Sequence, residues 1–496
     1  MWGAKMSVLW EFVEDNLKKH QNSVIEEYNF EKYTYGELLC RIESYANRMR
    51  GMDLRQKKCV IVCEKNIKCL EYMIFCWKVG MIPIPVSLHY GIEHCRKIIS
   101  VTEPDYVLTD KTKVELAYDT KIYDIESFIG HFEIITKKEP ELVGIELMMC
   151  TSGTTGLPKA SMFTGEAIEK NVYAITDYFP LLSSDTILVA RPLYHCAVLV
   201  GEVLTSICVG SSILFFSEKY NPLVLSKIIK KSNVTALCGT PTLLKGLADI
   251  IKNKDSYRKI RLIALSGEYL LQEYSEIIAT TFSEAKVFNV YGLTEAGPRV
   301  SYLDSILFKI CPQSVGTPLK NVEIVILPCD YSTDKEFDSV EEGEVGLVWI
   351  KTPCLMKGYY RDKAKTIERI HGEWFNTGDM GYVKENRLYI IGRSDDMIIR
   401  AGMNLYPKEI EVKMLELSEI TEAMVYGEII DGIEQIFADV VLSDSSETVT
   451  EYEIKQKLVK NIPGYMLPYK INIVSALPRN ASGKVVRPTK KIRECR

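Results

Sequence analysis

Short unbroken apolar runs alternate with helix-spaced stretches through the first two thirds of the chain. "KKCVIVCEKN", "MIPIPVSLHY", "DYVLTD", "GIELMMC", "TILVA", "SILFF", "VTALCG", "RLIALSG" and "KVFNVYG" read as strands, because near-continuous apolar runs suit strands buried on both faces. Between them "KCLEYMIFCWKVG", "EHCRKIIS" and "GEAIEKNVYAITDYF" carry the helical period. This rhythm predicts α/β layers. From about Val322 the period shortens to two, in "VEIVIL", "GEVGLVWI" and "RLYIIGR", which predicts a small antiparallel β unit. Beyond "GRSDDMIIRAG" comes a compact α/β segment, with helices at "PKEIEVKMLEL" and "TEYEIKQKLVKNI" and strands at "EAMVYG" and "FADVVL". The charged, glycine-flanked "GRSDDMIIRAG" is the expected boundary. The expected fold class is therefore α/β: a large N-terminal domain (1–394) of layered subdomains plus a small β unit, then a small C-terminal α/β domain (395–496).

Length agrees with this division, since 496 residues exceed what one hydrophobic core organises. A net charge of −5 gives no electrostatic case for nucleic acid as the main partner. No uninterrupted apolar run is long enough to predict a membrane span, and "MWGAKMSVLWEFVEDNLKK" does not read as a signal peptide. The fourteen cysteines scatter through apolar surroundings as small hydrophobes. Cys59 and Cys63 lack a second ligand pair, which argues against zinc. Free thiols in this number point to a reducing compartment, and the cytoplasm is the expected location.

One loop stands apart from this background. "MMCTSGTTGLPKAS", Met148 to Ser161, is rich in glycine and hydroxyls and ends on a lysine. Such a loop lets backbone N–H groups approach phosphate oxygens closely. It is not a Walker loop, which ends Gly-Lys-Ser/Thr; here Pro158-Lys159-Ala160 takes that place. Read as strand, loop, helix, it sits at the carboxyl end of a strand, where open α/β sheets bind ligands.

Four further segments, "NVYGLTEAG", "WFNTGDMGYV", "IIGRSDDMIIRAGMNLYPKEIE" and "LPRNASGK", follow it in order. Together the five resemble the motifs of the adenylate-forming superfamily of acyl- and aryl-CoA synthetases, peptide-synthetase adenylation domains and luciferase. The resemblance runs from about residue 30 to the C-terminus. It implies two half-reactions. A carboxylate attacks the α-phosphate of ATP to give acyl-AMP and pyrophosphate, and a phosphopantetheine thiol then displaces AMP. Bringing two anions together requires positioning and charge neutralisation.

The same resemblance implies roles for residues. Thr151, Ser152, Gly153, Thr154, Thr155, Gly156 and Lys159 would form a mobile phosphate loop; a surface turn is the plainer alternative. Tyr291 would stack on adenine beside Gly292, with Gly267 and Glu268 also at the nucleotide. Thr294 would contact the α-phosphate, and Glu295 would bind Mg2+, a cation suited to carboxylate oxygen. Asp379 would accept the ribose hydroxyls and Arg393 would reach the same sugar. Asp395 matches the hinge on which the C-terminal domain pivots, while Asp396 reads as solvated surface. Lys484 would enter between carboxylate and α-phosphate, a point charge on a flexible stem.

His195, in "ARPLYHCAVLVGE", resembles the Pro-Leu-x-His stretch of acyl- and aryl-CoA synthetases, whose aromatic residue lines the acid pocket. No acidic residue stands between Arg191 and Gly201, which disfavours an α-amino acid. Cys196, Ala197, Cys238, Ser266, Gly292, Gly297 and Pro298 are expected near the acid. Being small or uncharged, they suit a flat aromatic or short apolar acid with few charges. The acceptor motifs are mixed: "GRSDDMIIRAGMNLYPKEIE" resembles CoA ligases, whereas "ALSGEYL" and "IPGYMLPYK" resemble carrier-protein-loading domains. The expectation leans toward a carrier protein, with CoA open. The alternatives are an amino-acid-activating enzyme, a non-catalytic nucleotide-binding relative, a phosphotransferase using the loop in Walker fashion, and oxidative chemistry on the acyl-AMP.

Overall fold

The computed structural model describes residues 7–111, 122–131, 139–152, 158–329, 331, 338–400, 403–430, 433–443, 449–479, 485–488 and 492–493. The chain divides into two compact units, Met1–Ile324 with Ile350–Phe375, and Val325–Trp349 with Asn376–Arg496.

The first unit contains three sheets. The largest has nine strands. Its six central strands, Lys286–Tyr291, Leu262–Leu265, Ala236–Gly239, Thr186–Val189, Ser212–Phe215 and Val24–Glu27, run parallel. Antiparallel strands close both ends. Helices Pro222–Lys231 and Pro241–Asp249 press Leu225, Ile228 and Leu244 onto Leu188, Leu237 and Ile263 in one core. This is the burial that unbroken apolar strands require.

A second sheet of four parallel strands includes Lys58–Cys63 and Ile82–Ser87, both buried along their whole length. Ile82–Ser87 lies at the edge of that sheet. Pro83 and Pro85, two residues apart, share one side of the strand, so both missing N–H groups can face away from the neighbour. Helix Asn66–Val79 is apolar nearly all round and buried accordingly. Its one buried carboxylate, Glu71, accepts from Tyr45 at 2.9 Å and from Lys68 at 3.0 Å.

The third sheet corrects the sequence reading of strand, loop, helix. Pro158–Thr164 is itself a strand, paired antiparallel with Ile145–Ser152, and the helix Gly165–Tyr178 begins only after it. The glycine-rich segment therefore joins a hairpin, not a strand to a helix. Proline opens the second strand, where a missing donor is tolerated. Met148, Ala160 and Met162 share a core with Val60, Ile84 and Val107, and that burial hides any period-two signal.

Strands Trp374–Lys384, which belongs to the second unit from Asn376 onward, and Arg387–Arg393 form an antiparallel ladder with Tyr382 stacked on Tyr389 at 4.9 Å. The C-terminal part is built on the hairpin Ile420–Ile430 and Ile433–Leu442, flanked by Lys470–Ile473. Helix Pro407–Leu415 supplies Ile410 and Met414 to its core, and Glu451–Leu458 supplies Ile454 and Leu458. The second helix starts on a capping box between Thr450 and Glu453. Among the described residues no helix is long and apolar enough to cross a membrane.

Candidate active site

The hairpin sets Thr151 opposite Lys159. Gly153, Thr154, Thr155, Gly156 and the side chain of Ser152 lie outside the described residues. Lys159 Nζ stands 5.6 Å from the centre of the Tyr359 ring, and Tyr359 donates its hydroxyl to Glu295 Oε1 at 2.8 Å. The Met356 N–H bonds the Glu295 carbonyl at 2.8 Å. Tyr359 thus ties the hairpin to the turn carrying Glu295. Burial lowers the pKa of Lys159, and the charges of Lys365 and Arg369 lower it further, against Glu295 and Glu368. Three cations around two carboxylates leave an excess of positive charge suited to a polyphosphate.

The donor set fits magnesium in a limited way. Among the described residues no group of three or more His, Cys, Asp or Glu side chains could hold a metal ion. Glu295 commits one oxygen to Tyr359 and has a second to offer. One carboxylate completed by substrate phosphates is the usual arrangement for Mg2+.

Tyr291 ends the strand Lys286–Tyr291, half-buried, and Thr294–Ala296 forms a single 3-10 turn. Gly292 is required by crowding: a Cβ there would lie 2.3 Å from the Pro298 carbonyl oxygen. Gly297 has φ +79° and meets Asn171. The Asn171 amide donates to the Arg299 carbonyl at 2.9 Å, so helix Gly165–Tyr178 pins the far end of this turn. Gly267 is exposed with φ +88°, a left-handed position that favours glycine. Glu268 Oε2 accepts from the Thr242 N–H at 3.2 Å.

His195 precedes the short helix Cys196–Val198, which continues as a π-helix over Leu199–Leu204. Such wide turns recur at functional sites. The Tyr194 hydroxyl and His195 Nε2 are 2.9 Å apart. Burial, with Arg191 nearby, holds the imidazole pKa down to about 3, so the ring is neutral at physiological pH. Cys196 and Cys238 are buried thiols pushed up to about 12 by burial. Ala197 is half-buried. Ser266 is buried, and its hydroxyl has no partner among the described residues. Beside these neutral groups lie charges that the sequence reading did not place there. Glu202 is fully buried and accepts from Arg191 at 2.6 Å, and Arg299 is 1% exposed.

In the second unit Asp379, 8% exposed, faces Arg393 across the ladder. Arg393 Nη1 donates to the Asp379 carboxylate at 3.0 Å and to the Thr377 carbonyl at 3.2 Å. Asp395 is exposed in the 3-10 turn Ser394–Asp396. Asp396 is not simply solvated surface: Arg487 donates to it at 3.1 Å and to Glu411 at 2.5 Å. Lys484 lies outside the described residues. Tyr359, Asn171 and Arg299 escaped the sequence reading. Only Arg299 left a trace there, as the one charge directly after Gly297-Pro298.

Residues 13–360 match the family model of AMP-binding enzymes, and 409–484 match the model of their C-terminal domain. The chain belongs to the AMP-binding enzymes. It is 28% identical over 462 residues to a 2-succinylbenzoate--CoA ligase of Oceanobacillus iheyensis, covering 92% of this chain and 93% of that one. It is 25% identical to 4-coumarate--CoA ligase 1 of Solanum tuberosum, covering 92% and 88%. Among solved structures, the o-succinylbenzoate CoA synthetase of Bacillus subtilis with its acyl-adenylate intermediate superposes with a TM-score of 0.83 at 22% identity, over 96% of both chains. ATP-bound MatB of Rhodopseudomonas palustris gives 0.84 at 24% identity, over 97% of both. This AMP-binding enzyme therefore has the adenylate-forming fold, and the family expected from its motifs is the one it belongs to.

Proposed function

We propose that the chain activates an aryl or short acyl carboxylic acid with ATP as acyl-AMP, and passes the acyl group to a phosphopantetheine thiol. The observation that carries the reading is the convergence of Lys159, Tyr359 and Glu295, which joins the glycine-rich hairpin to the Thr294–Glu295 turn. In the first half-reaction a carboxylate oxygen bonds to the α-phosphorus and pyrophosphate leaves. Lys159 and the hairpin hold the leaving phosphates, and Thr294 contacts the α-phosphate. Glu295 would hold Mg2+, which offsets phosphate charge when bound. Tyr291 carries the adenine. Asp379, oriented by Arg393, accepts the ribose hydroxyls. Lys484 bridges the two reacting anions. In the second half-reaction the thiol sulfur bonds to the acyl carbon and AMP leaves, after a pivot at Asp395 between domains 1–394 and 395–496.

His195 acts as a neutral wall and hydrogen-bonding group of the acid pocket, since its ring carries no charge at working pH. Coenzyme A is the acceptor in the names of the relatives; a carrier protein rests on two sequence segments alone. Activation of an amino acid would need a carboxylate for the ammonium, and the buried Glu202 is already held by Arg191.

The test is ATP–pyrophosphate exchange across benzoates, short fatty acids and amino acids, followed by thiol-dependent AMP release with CoA and with a phosphopantetheinylated carrier. Exchange with an aryl or acyl acid is expected. Exchange with amino acids alone overturns the pocket assignment. A folded, ATP-binding protein that exchanges with nothing supports the non-catalytic alternative instead.

A further inference from the structure

Two arginines and one carboxylate are buried together beside the residues expected around the acid. Arg191 is paired: its Nη2 donates to Glu202 Oε1 at 2.6 Å. Arg299 is 1% exposed and has no carboxylate within ion-pair distance among the described residues. Its Nη1 donates to its neighbour's carbonyl, that of Pro298, at 3.0 Å. Its charge reaches the Tyr178 hydroxyl, working against the burial that pushes that group's pKa up. Its Nε is buried with no acceptor among the described residues.

The Glu202 carboxylate feels both arginines, so two buried guanidinium groups share one anion. Such an excess of buried positive charge is costly unless something further pairs with it. The surroundings make room for Arg299. Gly201, on the π-helix after His195, would put a Cβ 2.8 Å from Arg299 Nη2, so glycine there accommodates the guanidinium. Arg299 also lies next to residues expected around the acid. Pro298 precedes it, Gly292 packs on the Pro298–Arg299 backbone, and the thiols of Cys196 and Cys238 both feel its charge. Cys196 feels Glu295 as well, so one expected pocket residue lies in range of both the phosphate end and Arg299.

We propose that Arg299 sets the acid specificity of this enzyme, and that its substrate carries a second carboxylate, at the end remote from the one that is adenylated. This rests on the adenylation reading above and narrows its substrate class to dicarboxylic acids. The planar guanidinium matches a carboxylate in two-point geometry, and a pocket that buries it rejects an uncharged terminus. Neutral His195, Cys196, Cys238 and Ser266 then line the stretch between the two acid groups.

The experiment compares dicarboxylic acids with their own monomethyl esters in ATP–pyrophosphate exchange, using isophthalate, terephthalate, succinate, glutarate and adipate. The expected result is a kcat/KM about 10⁴-fold higher for the preferred diacid than for its ester, as for a site whose buried polar group the wrong substrate leaves unpaired. In Arg299→Met that ratio should fall to near one, mainly through a raised KM for the diacid, while the KM for ATP stays unchanged. Arg299→Lys should keep part of the preference, which simple loss of packing would not. Should Arg299→Met fail to fold, the wild-type ratio and the lysine variant still decide. Esters and monoacids exchanging as well as diacids overturns the inference and leaves adenylation standing. No exchange with any acid, with ATP still bound, overturns the adenylation reading and this inference with it.

Discussion

Tyr359 offers a way to separate positioning from packing. Its hydroxyl bonds Glu295 while its ring faces Lys159, so Tyr359→Phe removes only the bond. A hydrogen bond to a charged group contributes about 1.5–3 kcal/mol, and kcat/KM for ATP should fall about 10- to 100-fold with the melting temperature unchanged. Lys484→Ala should abolish pyrophosphate exchange yet leave ATP affinity, measured by calorimetry, close to wild type. His195 gives a pH expectation with a definite sign. Its folded pKa is depressed to about 3 from the usual 6.5. The unfolded state therefore binds the extra proton between these values, and stability falls as pH drops from 6.5 toward 3. Chemical denaturation of His195→Gln should show a weaker loss over that range, and wild-type kcat/KM should carry no inflection from this imidazole near pH 6.5. The positions of Lys159 and Glu295 were legible because each sits in a motif. Tyr359 was not, since its partner Glu295 is 64 residues away and only the fold joins them. Nor does a list of neighbouring residue types reveal that Arg191 and Arg299 are both set beside the one buried carboxylate of Glu202.

At the scale of elements, the parallel strands announced themselves through unbroken apolar runs, whereas the hairpin did not. Pro158–Thr164 mixes lysine, serine and threonine with apolar residues, and it is buried by the sheet beneath it rather than by its own pattern. A tyrosine and two charges near its partner strand Gly358–Tyr359 hold this layer in place. Lys58, from the second sheet, donates to Glu139 at 2.9 Å and to the Tyr360 hydroxyl at 2.5 Å. Glu139→Ala strands that buried ammonium and should cost about 3 kcal/mol, as breaking one side of a buried pair does. The measurement is the midpoint of denaturant unfolding. Asp396 carries the same lesson at a turn: two adjacent aspartates look alike in sequence, yet only one of them is shown bonding Arg487, which lies 91 positions away.

For the whole molecule the two half-reactions impose different demands. Asp395→Pro fixes one backbone dihedral near the expected pivot. Pyrophosphate exchange should persist while thioester formation falls about tenfold or more, as restricting a hinge position would require; equal loss of both steps would place the pivot elsewhere. The change of period near Val322 falls beside Ile324, where the first compact unit gives way to the second; the boundary expected at "GRSDDMIIRAG" is what the Asp395→Pro experiment tests. The N-terminal strand Val24–Glu27 lies inside the large sheet rather than at the head of its own layer. It pairs with Ser212–Phe215, and the buried Glu27 carboxylate is satisfied by Ser217, 190 residues later. On a ribosome those first strands wait about 10 to 40 s for their partner, at about 5–20 residues per second. A nascent chain shorter than that has no place for its own beginning, so the early product is a natural client for chaperones that shield unpaired edges.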